Sequence, residues 1–117
     1  MPPSNAAQRL HDALDLLDDA IGLSRKAMNH NPSEDEERGL QQLRLRLESE
    51  RAVLQAEFNA ALVEATAVQA PSAAQVNKIA KLSDQVAKAT KQADVANEAI
   101  VLGGKIFDLA TEIVTHG

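Results

Sequence analysis

The sequence predicts an all-α fold: an antiparallel up-down-up three-helix bundle of long helices, forming a single domain over residues 1–117. Three observations predict it. Hydrophobic residues make up 44% of the chain and aromatic ones only 2%, so the apolar content is Ala, Leu, Val and Ile. Strand-rich domains draw on aromatic side chains, whereas Ala and Leu are among the best helix formers. Apolar residues recur at heptad spacing along almost the whole chain. The breaks between these runs are few, and both internal ones carry the same helix-start signature. A chain of this length has room for one core and not for two.

The first helix is expected over about residues 4–29, after Pro2-Pro3, with Ser4 or Asn5 as its cap. Its stripe is Leu10, Leu14, Leu17, Ile21, Ser24 and Met28, and Leu16 and Leu23 beside it widen the face so that two neighbours are needed. The second helix is expected over about 33–69. Pro32-Ser33 precedes it with Glu36 three residues on, a capping box in which the Ser hydroxyl accepts from the backbone N–H three residues later. The acidic run Glu34 to Glu37 then lies at the positive end of the helix dipole. Its stripe is Leu40, Leu43, Leu47, Leu54, Phe58, Ala61 or Leu62, Ala65 and Val68, interrupted at Glu50-Arg51.

The third helix is expected over about 72–115, opened by Pro71-Ser72 with Gln75 completing a second capping box. Ile79, Leu82, Val86, Ala89, Ala93, Ala96, Ile100, Gly103, Phe107, Ala110 and Val114 alternate three and four apart throughout. Short turns make consecutive helices antiparallel. In broad architecture the chain is similar to spectrin-type repeats, which also place three long antiparallel helices in about this length. The tryptophans those repeats carry in their core are absent here, so the resemblance implies architecture and no function.

The C-terminal third raises a question of coverage. From Leu102 a second stripe, Leu102, Ile106, Leu109 and Ile113, runs beside the first, with Lys105, Asp108 and Glu112 opposite. At about 1.5 Å per residue an unbroken third helix overshoots the second by about 10 Å, so the three-helix bundle supplies no cover for both stripes there. Two interior glycines, Gly103 and Gly104, cost about 2 kcal/mol relative to alanine, and three arrangements justify them. The helix breaks at Gly103 and the rest folds back as a short fourth helix. Alternatively it continues, kinked or straight, and the missing side chains admit another backbone at an oligomer interface. In the third arrangement this end docks a different protein or a membrane surface. The heptad passes through the glycines in phase, from Ile100 to Phe107 to Val114, which favours continuity or a mild kink.

The polar residues offer little chemistry. His11 with Asp15, and Glu112 with His116, each share a helix face, but they fall at opposite ends of the bundle and two ligands are too few for a zinc centre. Glu-x-x-His, the ligand pattern of di-metal bundles, is absent. Asp12, Asp15, Asp18 and Asp19 fall outward and lack calcium-loop geometry. There is no nucleophile elbow, and Gly103-Gly104-Lys105 lacks the rest of a phosphate-binding loop. With no cysteine there is no disulfide or thiolate chemistry. No enzyme activity, cofactor or metal is expected.

Net charge is −5, which argues against a nucleic-acid surface. Lys78, Lys81, Lys88 and Lys91 line an outer face, and Arg44 and Arg46 are answered by Glu48 and Glu50. No aromatic residues interleave with these cations for base stacking, so no nucleic-acid partner is expected. No signal peptide or membrane-spanning run is visible, and the default expectation is a soluble, cytoplasmic protein. The expected role is a non-enzymatic protein-protein interaction or oligomerisation module, whose contact residues are Leu102, Gly103, Gly104, Ile106, Leu109 and Ile113. A lipid-surface role for this segment is the weaker alternative, because Asp108 and Glu112 stand where interfacial helices carry Lys and Arg. The other alternative is a self-contained bundle with the C-terminal segment as core.

Overall fold

Both capping boxes form, and they fix where the second and third helices begin. The computed structural model describes residues 5–63, 70–91 and 96–116. Ser33 is extended, with φ −64° and ψ 166°. The Glu36 N–H donates to its hydroxyl at 3.2 Å, and the Ser33 N–H donates to the Glu36 carboxylate at 2.9 Å. Ser72 and Gln75 repeat the exchange at the same distances. Each reciprocal pair satisfies two donors that a helix start leaves orphaned.

The described residues form four helices: α1 (Asn5–Met28), α2 (Glu34–Leu62), α3 (Ala73–Thr90) and α4 (Ala96–His116). The α1–α2 turn reverses through Asn31 at φ 53°, a left-handed conformation that asparagine tolerates better than most residues. The later part of the expected second helix, with Ala65 and Val68, lies outside the described residues.

The expected three-helix bundle is corrected here. The single third helix over 72–115 is two helices. α3 stops at Thr90, where the Lys91 N–H turns back to the carbonyls of Ala89 and Lys88. α4 begins at Ala96 and runs as α-helix through Gly103 and Gly104. The helix is thus continuous at the glycines, as the heptad phase favours, and the interruption lies upstream, between the end of α3 and the start of α4. Heptad phase reports which face is apolar, not whether the rod is continuous, and the phase carried from Val86 to Ile100 is compatible with a hairpin. Gln92, Ala93 and Val95 of the expected stripes lie outside the described residues.

Contacts between helices set their directions. Gln75 Nε2 donates to Glu112 Oε1 at 3.1 Å, and Lys78 Nζ lies 3.7 Å from Glu112 Oε2. The start of α3 is thus beside the end of α4, antiparallel. Arg9 Nη1 donates to the Pro71 carbonyl at 3.1 Å, so α3 begins where α1 begins and the two run parallel. Ile100 packs over Gly39 and Leu43 over Gly103, which makes α2 and α4 parallel. The polar interruption at Glu50-Arg51 is also explained: the Arg51 guanidinium forks onto both carboxylate oxygens of Asp18, tying α2 to α1.

In cross-section the helices form a rhombus. α1 and α4 each pack on the other three, while α2 and α3 do not pack on one another among the described residues. The short diagonal is α1–α4, and α2 and α3 stand at the far corners of a 46 × 22 × 22 Å body. Burial follows position. Central α1 buries Leu10, Leu14, Leu16, Leu17, Ile21 and Leu23, a wide arc matching three neighbours, whereas corner helix α3 buries the narrow line Ile79, Leu82, Val86 and Ala89.

Candidate association surface

The C-terminal stripe lies inside the bundle. Leu102, Ile106, Leu109 and Ile113 are 4%, 1%, 4% and 1% exposed. Gly103 is buried and Gly104 half-buried. Ile106, Leu109 and Ile113 meet Leu16, Leu17, Leu54 and Ile79 around a central gap of about 10 Å³. Within one chain these side chains are interior, and a contact made through them requires α4 to leave the bundle. Of the first stripe in this segment, Ala96, Gly103 and Ala110 are buried, and the larger Ile100, Phe107 and Val114 only partly so. The second stripe is the one aimed at the centre.

The two glycines have different surroundings. A Cβ at Gly103 would lie 3.0 Å from Leu43 Cγ and 3.1 Å from Cδ1, and closer still to Cδ2. At Gly104 nothing lies within 4 Å of the added atom. Across the same contact, a Cβ at Gly39 would lie 3.3 Å from Ile100 Cδ1. So α2 and α4 exchange seats: the Leu43 side chain rests on the Gly103 backbone, and Ile100 on Gly39. The close approach that Gly103 permits is between helices of the same chain.

The polar candidates are surface groups with nearby partners. His11 Nδ1 is 3.4 Å from Asp15 Oδ2, and its ring leans on Phe58 at 5.8 Å. Gln8 Nε2 donates to Asp12 at 3.1 Å. His11, Asp12 and Asp15 bring ligand atoms within 4.8 Å of one another, all from one helix, with His11 and Asp15 exposed. Asp19 is pushed above the usual carboxylate range by burial first, and then by the Asp15 and Asp18 carboxylates. The side chain of His116 lies outside the described residues, so its pairing with Glu112 does too. Lys81 and Lys88 on α3, and Lys91 at its C-cap, are exposed. An open groove of about 500 Å³ runs between α1 and α3, with Gly22, Leu23, Val86 and Ala87 along it and Asp18, Asp19, Lys26 and Lys91 at its margins. No helix among the described residues is long and apolar enough to cross a membrane.

What remains apolar and outward is concentrated on α2. Leu45, Val53 and Leu62 on that helix, and Val63 at its C-cap, are 63%, 43%, 54% and 78% exposed; Val101 on α4 is 46% exposed. Leu45, Ser49, Ala52, Ala56, Asn59 and Val63 recur at 4-3-4-3-4 spacing, and all six are exposed. This is a second heptad seam, uncharged from end to end, facing away from α1 and α4. Sequence reasoning missed it by assigning one stripe to α2. The signal was present in Leu45 and Val53, which fall off the Leu40–Leu43–Leu47–Leu54 line. At the opposite corner the outer face of α3 carries Asn77, Ala80, Asp84, Ala87 and Lys88, all exposed, while Lys78, Lys81 and Gln85 stand over the groove toward α4. The chain matches no protein-family model, no curated protein and no solved structure.

Proposed function

We propose that this chain is a non-enzymatic helical bundle whose activity is protein association, with the outward face of α2 as its contact surface. One observation carries the reading: four of the five large apolar side chains exposed among the described residues belong to α2 or its C-cap. Scattered exposed apolar residues are ordinary on a soluble surface, but Leu45 and Val63 end an uncharged seam at coiled-coil spacing, and Val53 and Leu62 lie on its two flanks. The corner position of α2 leaves a wide arc uncovered. The equivalent arc of α3 exposes no large apolar side chain and sets Lys81, Asp84 and Lys88 among small residues such as Ala80 and Ala87.

The chemistry of the face sets the kind of partner. The chain has no Trp or Tyr, the residues that most often anchor hot spots. Binding would come from a long shallow seam accepting another helix, not from a pocket accepting a side chain.

A photo-crosslinking residue placed at Ala52, with one at Asp84 on α3 as control, tests the reading in cells that produce the protein. A discrete covalent adduct from position 52 and none from position 84 is the expected result. Equal labelling at both positions, or none at either, would remove the basis for assigning the function to α2.

A further inference from the structure

We propose that α3 is a detachable helix: it leaves the bundle as a unit while α1, α2 and α4 stay packed, and so uncovers an apolar trough on α1 and α4. This concerns the corner opposite α2 and does not depend on α2 as an association surface. The helix pairings permit it. α1, α2 and α4 each pack on the other two, so they close a triangle without α3. Among the described helices α3 packs on α1 and α4 alone, outside that triangle. Removing α2 would likewise leave α1, α3 and α4 together, so topology does not choose between the corners.

Burial chooses. α2 buries Leu40, Leu43, Leu47 and Leu54 on its inner side, and the Arg51 fork onto Asp18 ties it to α1. The large apolar side chains that α3 buries are three, Ile79, Leu82 and Val86, followed by the small Ala89. The less apolar surface a helix buries, the smaller the cost of opening it. Polar ties hold only the first two turns of α3 more firmly: Arg9 reaches the Pro71 carbonyl, and Gln75 and Lys78 reach Glu112.

The seat of α3 is also open along both edges. The groove of about 500 Å³ toward α1 passes Gly22, Leu23, Val86 and Ala87. Toward α4, one groove of about 350 Å³ passes Leu82 and Leu109, and another of about 390 Å³ passes Ala89 and Leu102. A side chain bordering such a gap lacks partner atoms on that side, so it forfeits less when the helix departs. Departure uncovers Leu16 and Leu23 on α1 and Leu102 and Leu109 on α4, which line the same gaps as Ile79, Val86, Ala89 and Leu82 respectively. The trough is about 27 Å long, the length of α3. Its occupant is α3 itself, and the population of the open form sets access to it.

The test is backbone amide hydrogen exchange, read by NMR on the purified full chain from zero to sub-denaturing urea. Amides from Ile79 to Ala89 are expected to exchange at least about a hundredfold faster than those of Leu17, Leu47 and Ile106, and with a weaker urea dependence, because their opening exposes less surface. The two capping boxes supply the decisive variants, since both serines are exposed. Ser33→Ala weakens α2, which is packed in the closed and the open form alike. It should speed exchange in α1, α2 and α4 about fivefold and leave α3 unchanged. Ser72→Ala weakens the closed form alone, so exchange in all four helices should rise about fivefold. The proposal is overturned if α3 shares the protection and urea dependence of the other helices, if α2 exchanges before α3, or if S33A speeds α3 as much as it speeds α2.

Discussion

Replacing Gly103 with alanine puts a methyl group 3.0 Å from Leu43 Cγ and 3.1 Å from Cδ1, and nearer still to Cδ2. Carbon atoms prefer about 3.5–4.0 Å, so the leucine must retreat by on the order of 1 Å, and it is 93% buried with neighbours around it (7% exposed). Either Leu43 leaves its rotamer or α2 and α4 part slightly; overpacking of this kind costs about 1–3 kcal/mol. Against this, alanine in place of a mid-helix glycine gains about 1 kcal/mol. Gly104, one residue on in the same helix, has the same propensity gain and nothing within 4 Å of the added atom. The difference between Gly103→Ala and Gly104→Ala therefore isolates the packing term, about 1–3 kcal/mol, which is roughly 1 M in the midpoint of a urea titration. Circular dichroism is the suitable probe, since the chain has neither Trp nor Tyr. G104A should raise the midpoint and G103A should not. In a Leu43→Ala background the penalty at Gly103 should vanish, because its cause has been removed. If both glycine variants raise the midpoint equally in the wild-type background, Leu43 is not seated on Gly103 and the account of the α2–α4 contact is wrong.

Other substitutions test other parts of the fold. Ser33→Ala and Ser72→Ala each remove the hydroxyl of a formed capping box and should cost about 1 kcal/mol apiece, additively, in the same titration. Asp19 holds its proton more tightly in the folded chain than in the unfolded one, so it lowers stability as pH rises through the window just above about 3.9, and the loss persists at neutral pH. Asp19→Asn should accordingly be the more stable chain at pH 7, with the gain disappearing below about pH 3.9; a pH-independent difference would point to some other cause. Truncation after Leu102 deletes Ile106, Leu109 and Ile113, all buried, at about 1.5–3 kcal/mol each. The sum, about 5–9 kcal/mol, is comparable to the whole stability of a domain this size, so the truncated chain should lose cooperative thermal unfolding. A truncated chain that still melts cooperatively would mean that α4 is dispensable to the core.

The helix starts were legible because their determinants are local. Ser33 and Glu36, or Ser72 and Gln75, complete a capping box within four residues, and no distant contact is needed to form it. The α3–α4 break was not legible for the converse reason. Lys91-Gln92-Ala93-Asp94-Val95 contains neither glycine nor proline, and the heptad crosses it in phase. What could be read was the imbalance that forces a break: a straight rod over 72–115 leaves the Leu102–Ile113 stripe without cover. Folding back buries those four side chains at about 1.5–3 kcal/mol each, more than the few backbone hydrogen bonds a helix interruption forfeits at about 1 kcal/mol each. The sequence showed that the segment had to be covered and offered Gly103-Gly104 as the place to bend. The chain bends elsewhere, because glycine lowers the cost of a bend without requiring one.

The same distinction governs the candidate site. Gly103 and Gly104 are indistinguishable in sequence, yet one faces Leu43 and the other faces open space; the side chain that separates them is sixty positions away. A stripe of leucine and isoleucine likewise states that something will cover it, not whether the cover is this chain or another. Counting neighbours resolves it. Once α4 packs against α1, α2 and α3, the demand of the C-terminal stripe is met internally, and the unmet demand moves to the corner helices. There composition decides. α3 presents lysine and aspartate to solvent, while α2 presents Leu45, Val53, Leu62 and Val63. A single stripe on the second helix leaves Leu45, Val53 and Val63 out of account. In the rhombus α2 has two helical neighbours among the described residues, both on its Leu40–Leu54 side, and no described helix covers its outer arc.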